Sequence, residues 1–443
     1  MSTSPPPTPR ASGFIKGDER RFKEITSPCE WVEDYHPGGY HPVVLGDVFH
    51  NGQYKVIRKL GEGSYSTVWL ARDLRNNKYI AIKIAMSEIS EPTNEAVILR
   101  HLSEAPGGSK HITQLLDEFN HQGPNGIHKC LVFEPMGPTV NTMVEELPPF
   151  KGKGRLPSLK IRYPYWMAKG ILKQSLKALM FLHENGISHG DFQPGNMLFT
   201  LRNINSKPED ELRQKEDVQA GFISPPVERL DGKQDKWAPP YLCIAQPLVY
   251  PTDYAQDFEI KLSDMGGAYF VKEPPAKPIT PAGLRTPEYV LTGAVNHTMD
   301  IWSFGCLVFE LLTGQPLLCT PWYPSQTDQD DEHLRLMTTS LGPLPDNLYQ
   351  HWKTSSFYFT PERELYNCWL GGVPEGKKPL ILEEPTMEEA FDQAELDIDE
   401  EEARGVKALI RRILHYDPEK RPSAAEVLRD PWFLEDEVTS DSS

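Results

Sequence analysis

An acid and an amide five residues apart, Asp191 and Asn196, stand in the octet His189-Gly190-Asp191-Phe192-Gln193-Pro194-Gly195-Asn196. Such a carboxylate can take the proton of a substrate hydroxyl, and such an amide can hold a metal on phosphates. The octet alone is a weak signal, and its weight comes from what surrounds it in order. Upstream, Gly61-Glu62-Gly63-Ser64-Tyr65-Ser66 joins two β-patterned stretches, and Gly61 and Gly63 let a backbone come close to phosphates. Lys83 lies in the alternating run Ile80-Ala81-Ile82-Lys83-Ile84. A lysine in a half-buried strand needs an anion. Glu95 falls on the apolar face of a helix read over 90–102, with Ile98, Leu99 and Leu102, so Lys83 is its natural partner. Downstream, Asp264-Met265-Gly266 follows an apolar strand, and Asp264 offers a second oxygen ligand for Mg2+.

The elements that must position these groups are legible as patterns. Strands are read over 54–60 and 67–71, and the apolar strand Leu131-Val132-Phe133-Glu134-Pro135-Met136-Gly137 ends in a Pro/Gly break that reads as a hinge between two lobes. An amphipathic helix over 166–185 precedes the octet and closes at Asn185-Gly186. A helix over 296–313 is apolar nearly all round and therefore buried. Asp300 at its start is placed to receive backbone N–H groups of the octet. Near the end, Ser423 and Glu426 form a capping box, and Arg421 just before it can pair with Glu288. Residues 201–257 have neither helical nor strand period and read as an insert, a spacer or a docking segment. Residues 1–28, rich in Pro, Ser and charge, read as a disordered tail. The histidines of Tyr35-His36-Pro37-Gly38-Gly39-Tyr40-His41-Pro42 read as loop residues, since no Cys or acid completes a ligand set. The acids over 383–402 read as a solvated face.

Composition bounds the partners. The 443 residues carry 46 Lys and Arg against 63 Asp and Glu, a formal charge of -17. That balance argues against nucleic acid and anionic membrane and permits a basic partner. The acids Asp328, Asp330, Asp331 and Glu332 suggest where a basic peptide docks. Six scattered cysteines without a CxxC pair suit a reducing compartment, cytoplasm or nucleus. The N-terminus has no apolar core of a signal peptide, and the run near 301–312 is too short to span a bilayer. The expectation is a monomer.

Taken together, these residues resemble the eukaryotic protein kinase fold from about 54 to 433, and within it the SR-protein kinase family as found in fungi. The telling parts are Gly38-Gly39-Tyr40-His41 ahead of Gly46-Asp47-Val48-Phe49, then Ile57-Arg58-Lys59-Leu60-Gly61 and Ser66-Thr67-Val68-Trp69-Leu70, with the insert where that family carries a spacer. The resemblance implies an α+β bilobal fold: an N-lobe antiparallel sheet plus one helix over 54–136, and a mostly helical C-lobe over 137–434 containing the insert. An extension over 29–53 would pack on the N-lobe, and 435–443 would form an acidic tail. It implies a serine/threonine protein kinase using ATP and Mg2+ on Arg/Ser-rich or other basic proteins, with a place in mRNA processing. Carried over residue by residue, Asp191, Lys83, Glu95 and Gln193 would be catalytic, and Asn196 and Asp264 would hold the metal. ATP would be met by Leu60, Gly61, Glu62, Gly63, Ser64, Tyr65, Ser66, Val68, Ala81, Lys83, Phe133, Glu134, Met136 and Leu198. Family members resemble constitutively active enzymes, which fits Gly190 in place of the Arg that pairs with a phosphorylated activation loop.

The chain departs from the pattern at five places. Ser66 replaces the third loop glycine, Met265 a Phe, Gly190 an Arg, Gln193 the catalytic-loop Lys, and Thr339 an acid of the family's docking groove. Gln193 keeps a second reading open, a pseudokinase scaffold that binds nucleotide or partners with little transfer. A small-molecule phosphotransferase is disfavoured by Thr286-Pro287-Glu288, Asp300 and Arg421, which build a platform for a protein substrate.

Overall fold

The computed structural model describes residues 20–90, 94–106, 110–147, 149–151, 161–249 and 257–434. The chain divides into two compact units, one drawn from 1–108, 113–138 and 198–258 and the other from 109–112, 139–197 and 259–443. The first unit is built on six strands: β1 (Val48–Phe49), β2 (Tyr54–Gly63), β3 (Ser66–Asp73), β4 (Lys78–Ala85), β5 (Leu115–Gly123) and β6 (Gly126–Phe133). They pair antiparallel in the order β1-β2-β3-β4-β6-β5. Alternation sends Val56, Trp69, Ile82 and Val132 into one buried core. The helix α1 (Asn94–Glu104) buries Glu95 together with Ile98, Leu99 and Leu102, so the apolar face read in the sequence is real although the helix starts later than position 90.

Two expectations about this unit are corrected. The N-terminal tail was expected to stay disordered to residue 28, but 20–28 pack on the unit; positions 1–19 lie outside the described residues. Phe22 is buried, and the Arg21 guanidinium pairs with Glu33 at 3.0 Å while donating to the Glu33 carbonyl. One aromatic and one buried ion pair are enough to hold a short segment whose average composition looks unstructured.

The insert was placed in the C-lobe, yet it belongs to the first unit. It runs back along the sheet with Ile204, Leu212, Ile223, Trp237, Leu242 and Leu248 buried. Its apolar anchors are spaced irregularly because the described part of the segment is mostly extended chain, with short helical turns at Ile204–Ser206 and Glu209–Leu212, so no period betrays them. The described part of the N-terminal tail pairs with the insert, as Lys23 N–H donates to the Glu228 carbonyl at 2.8 Å.

The second unit is helical. Its main helices are α2 (Tyr165–Glu184), α3 (Thr298–Thr313), α4 (Gln326–Leu341) and α5 (Glu400–Ile413). Helix α3 is buried on nearly every side, as its composition required, and ends on Gly314 at φ +77°. A Cβ on Gly305 would lie 2.7 Å from Ile413 Cγ2 and Leu414 Cδ2, so glycine is what lets α5 approach α3 this closely. Arg421, fully buried, donates both guanidinium arms to Glu288 at 2.7 Å. Ser423 and Glu426 complete their reciprocal cap. Among the described residues no helix is long and apolar enough to cross a membrane.

Candidate active site

In the first unit, β2 and β3 are joined by the glycine-rich turn, with Gly61 opposite Val68 and Glu62 opposite Thr67. Cross-strand partners point to the same face of a sheet. Val68 pairs with Lys83, Lys83 with Leu131, and Ala81 with Phe133. Lys83, Val68, Ala81 and Phe133 therefore share one face with the glycine backbone of the turn. Lys83 Nζ meets Glu95 Oε1 at 2.8 Å and Oε2 at 2.9 Å, the pair the sequence demanded. Leu60 lies within β2 just before the glycines, Glu134 and Met136 follow β6, and Leu198 lies on the short strand Met197–Thr200. Ser64 and Tyr65 form the exposed tip of the turn, and Ser66 opens β3.

One functional group of this unit escaped sequence reasoning. Lys59, two residues before Gly61, is fully buried, and its ammonium bonds Glu30, Glu62 and the Cys243 carbonyl. Burial disfavours the charge, but Glu30 and Glu62 outweigh it and hold the Lys59 pKa above its ordinary value. The argument applied to Lys83, that a lysine in a buried strand needs an anion, applies equally here. Nothing in the sequence signals that the anion comes from Glu30 in the N-terminal extension.

The second unit carries the octet, which follows the strand Ile187–Ser188 and ends in a single 3-10 turn, Pro194–Asn196. Its backbone is gathered on Asp300 of α3, whose carboxylate accepts from the N–H of His189 at 2.8 Å, the N–H of Gly190 at 2.9 Å and the Ser188 hydroxyl at 2.8 Å. His183 Nε2 lies 3.0 Å from the same carboxylate. Burial alone would raise the Asp300 pKa; His183 and the converging donors reverse this and hold it below the usual carboxylate range.

Asp191 is held at both oxygens. Asn196 Nδ2 donates to its Oδ2 at 2.8 Å, and Gln193 Nε2 to its Oδ1 at 2.7 Å. Burial raises the Asp191 pKa above the usual range and the charge of Asp264 adds to this, while Asn196, His189 and Gln193 pull it back. With its Nδ2 spent on Asp191, Asn196 has its amide oxygen left for a cation. Asp264 adopts φ +59°, a left-handed conformation that Asp tolerates, with its carboxylate accepting from Gly266 N–H. Its side chain is exposed, whereas Met265 behind it is fully buried in the place of the family's Phe. An exposed carboxylate and an amide oxygen form a hard oxygen donor set suited to Mg2+.

The segment after Asp264 folds back on the octet. A Cβ on Gly267 would meet both Ile279 and Asp191, so the two converge on that glycine. Thr280 Oγ1 donates to the Gly190 carbonyl at 2.7 Å. Gly190 has φ +72°, and a Cβ there would sit 2.4 Å from the Gly267 carbonyl oxygen. No larger side chain fits this position without moving the Gly267 turn.

The expected docking acids separate into different roles. Asp331 is buried and accepts from Trp352 Nε1 at 2.7 Å, the Thr354 hydroxyl at 2.5 Å and the Tyr358 hydroxyl at 2.8 Å. Glu332 is engaged by Arg335, which also pairs with Glu384 at 2.9 Å. Thr339, the departure from the family's acid, donates to the same Glu384 at 2.9 Å. Among the described residues Glu332 alone of these four acids makes an ion pair, and Asp328 and Asp330 are neither paired like Glu332 nor buried like Asp331.

A model of the protein kinase domain matches residues 54–210 and 252–433, skipping a stretch that lies inside the insert. The serine/threonine-protein kinase SRPK of Physarum polycephalum is 32% identical over 427 residues, covering 92% of each chain. Protein kinase dsk1 of Schizosaccharomyces pombe is 27% identical over 494 residues, 93% of this chain and 86% of that one. SRSF protein kinase 3 of Homo sapiens is 24% identical over 535 residues, 90% and 89% of the two chains. A solved kinase domain superposes with a TM-score of 0.56 at 22% identity, covering 89% of this chain and 98% of that one, a likeness of fold.

Proposed function

We propose that this chain, which belongs to the protein kinase family and within it to the SRPK serine/threonine kinases, transfers phosphate from MgATP to serines of Arg/Ser-rich or other basic proteins, without prior phosphorylation of its own activation segment. The observation that carries transfer is the Asp191 carboxylate, fixed at both oxygens by Asn196 and Gln193. An oriented carboxylate aligns the substrate hydroxyl and accepts its proton. Lys83, steadied by Glu95, would bind the nucleotide phosphates, and Asp264 and the Asn196 oxygen would hold Mg2+. The metal, when bound, neutralises charge developing on the transferred phosphoryl group.

Independence from phosphorylation is supported by the Thr280 bond to the Gly190 carbonyl. A neutral hydroxyl here does the tethering for which other kinases use an Arg and a phosphate. Gln193 counts against the scaffold reading. Its amide does not merely fill the lysine's place but orients the base. A basic substrate is supported by the charge of -17 and by the human relative's being named an SRSF protein kinase.

The test is transfer of radiolabelled phosphate from ATP to an Arg/Ser peptide and to an acidic control, with phosphatase-treated protein. Incorporation confined to the Arg/Ser peptide and undiminished by phosphatase is the expected result. No incorporation into any substrate would leave the scaffold reading standing.

A further inference from the structure

The phosphate loop carries one carboxylate, Glu62, flanked by Gly61 and Gly63. An anion there would repel nucleotide phosphates if it faced them. Strand pairing puts it on the other side. Gly61 lies opposite Val68, which pairs with Lys83, so that face belongs to the phosphate-binding lysine. Glu62 lies opposite Thr67, whose hydroxyl accepts from buried Trp69 Nε1 on the reverse face. There Glu62 Oε2 lies 3.0 Å from Lys59 Nζ.

Lys59 is itself anchored on every side. Its ammonium bonds Glu30 and the Cys243 carbonyl, its N–H donates to Gln214 Oε1 at 2.9 Å, and its carbonyl accepts from Gln246 N–H at 2.9 Å. One residue further along the loop, the Tyr40 hydroxyl donates to the Gly63 carbonyl at 2.6 Å. Two adjacent loop residues are thus tied by side chains from outside the loop, both on the reverse face or at the backbone.

We propose that Lys59 and Tyr40 are positioning residues of the phosphate loop: Lys59 draws the Glu62 carboxylate to the reverse face, and Tyr40 fixes the Gly63 carbonyl, so that only glycine backbone and Lys83 are offered to nucleotide phosphates. The inference rests on the kinase reading. It also reverses the role of Glu62 implied by resemblance, from ATP contact to anchor. Glycine loops are otherwise free to move, and a ligand that must order one loses affinity in doing so.

The test uses Glu62→Gln and Tyr40→Phe, each nearly isosteric, in the full chain. MgADP affinity is measured by calorimetry, and KM for ATP and kcat are measured with an Arg/Ser peptide. Each variant removes one hydrogen bond or ion pair, so each should weaken MgADP and raise KM for ATP by about three- to tenfold, with kcat changed far less. The double variant should lose less than the product of the two, because both act through the same loop. Were Glu62 instead facing the phosphates, neutralising it would tighten MgADP binding, and that result overturns the proposal. So does an unchanged KM for ATP in both variants with only a lowered melting temperature, which would make the network purely structural. Failure of the wild-type chain to bind MgADP would overturn it together with the nucleotide reading. Wild-type binding matched by both variants would overturn it alone.

Discussion

The side-chain amide of Gln193 donates to Oδ1 of Asp191 at 2.7 Å, the oxygen opposite the one held by Asn196. A residue that looks like a lost catalytic lysine is therefore in direct contact with the candidate base. Removing it in Gln193→Ala deletes a donor to the carboxylate, and such donors favour the charged form. The Asp191 pKa, already raised by burial, should rise further, moving the acid limb of kcat/KM to higher pH. A charged donor in Gln193→Lys should move it the other way and raise kcat by up to about tenfold, the worth of one strengthened hydrogen bond. Identical pH profiles in all three proteins would mean that the bond is not made during turnover.

Asp191→Asn keeps the shape of the site and its bond to Asn196 but removes the proton acceptor. General-base removal costs about 10²–10⁴ in rate, so transfer should fall to near background with melting unchanged. Lys83→Met should abolish transfer as well. It also leaves Glu95, itself buried on α1, without its lysine, so a lower melting temperature is expected there. Wild-type turnover in either variant contradicts the assignment.

Arg421 and Glu288 form a bidentate pair with side chains 0% and 6% exposed, and the guanidinium carbon lies 5.0 Å from the centre of the Trp302 ring. Arg421→Ala strands a buried carboxylate and should cost about 3–5 kcal/mol. Arg421→Lys keeps charge but cannot form both bonds, so it should recover only part of the loss. Denaturant midpoints of the three proteins check this, and a loss below about 1 kcal/mol in the alanine variant would place the pair among those of surface strength.

Asp331 was expected to meet a basic peptide and instead satisfies Trp352, Thr354 and Tyr358. Asp331→Ala should lower stability by about 1–3 kcal/mol for each donor left unpaired, which is a folding phenotype. Asp328→Asn with Asp330→Asn should leave melting unchanged and raise KM for an Arg-rich peptide in a manner that added salt suppresses. If the two effects fall the other way round, the division of roles among these acids is wrong.

His41, His121 and His128 cluster in the first unit, with ring centroids of His41 4.6 Å from His121 and 4.9 Å from His128. His41 Nδ1 and His128 Nε2 are buried without a hydrogen-bond partner among the described residues. Burial lowers all three pKa values, that of His41 to about 2, while Asp47 opposes the shift at His121. Below the ordinary value of 6.5 the unfolded chain then binds protons that the folded one refuses. Stability is full above that pH and falls as pH drops through it, by up to about 1.4 kcal/mol per unit for one such histidine. Melting temperature measured from pH 7 to 5 should decline, and His41→Leu should decline less steeply. Parallel curves would remove the cluster as a cause.

Much of this protein could be read from residue order alone. A lysine in a half-buried strand and a glutamate on an apolar helix face each demand a partner, and in the structure the two meet. Asp300 and Arg421 declared themselves in the same way, as charges embedded in apolar or capping contexts. Each of these charges is betrayed by its own immediate surroundings, even where its partner is distant, as Glu288 is from Arg421. What the tertiary structure alone decided involves residues whose surroundings in the chain carry no such sign. Glu30 reaches Lys59, and Tyr40 reaches Gly63. The aperiodic insert lies along the first unit. Asp331 turns inward while Asp330, its neighbour, does not. Composition assigns the same cost to every acid in a run, whereas burial differs between adjacent positions on a helix because each faces a different part of the surroundings. An extended segment held by single anchors has no period to detect, so its place could be known only from the surface that those anchors fill.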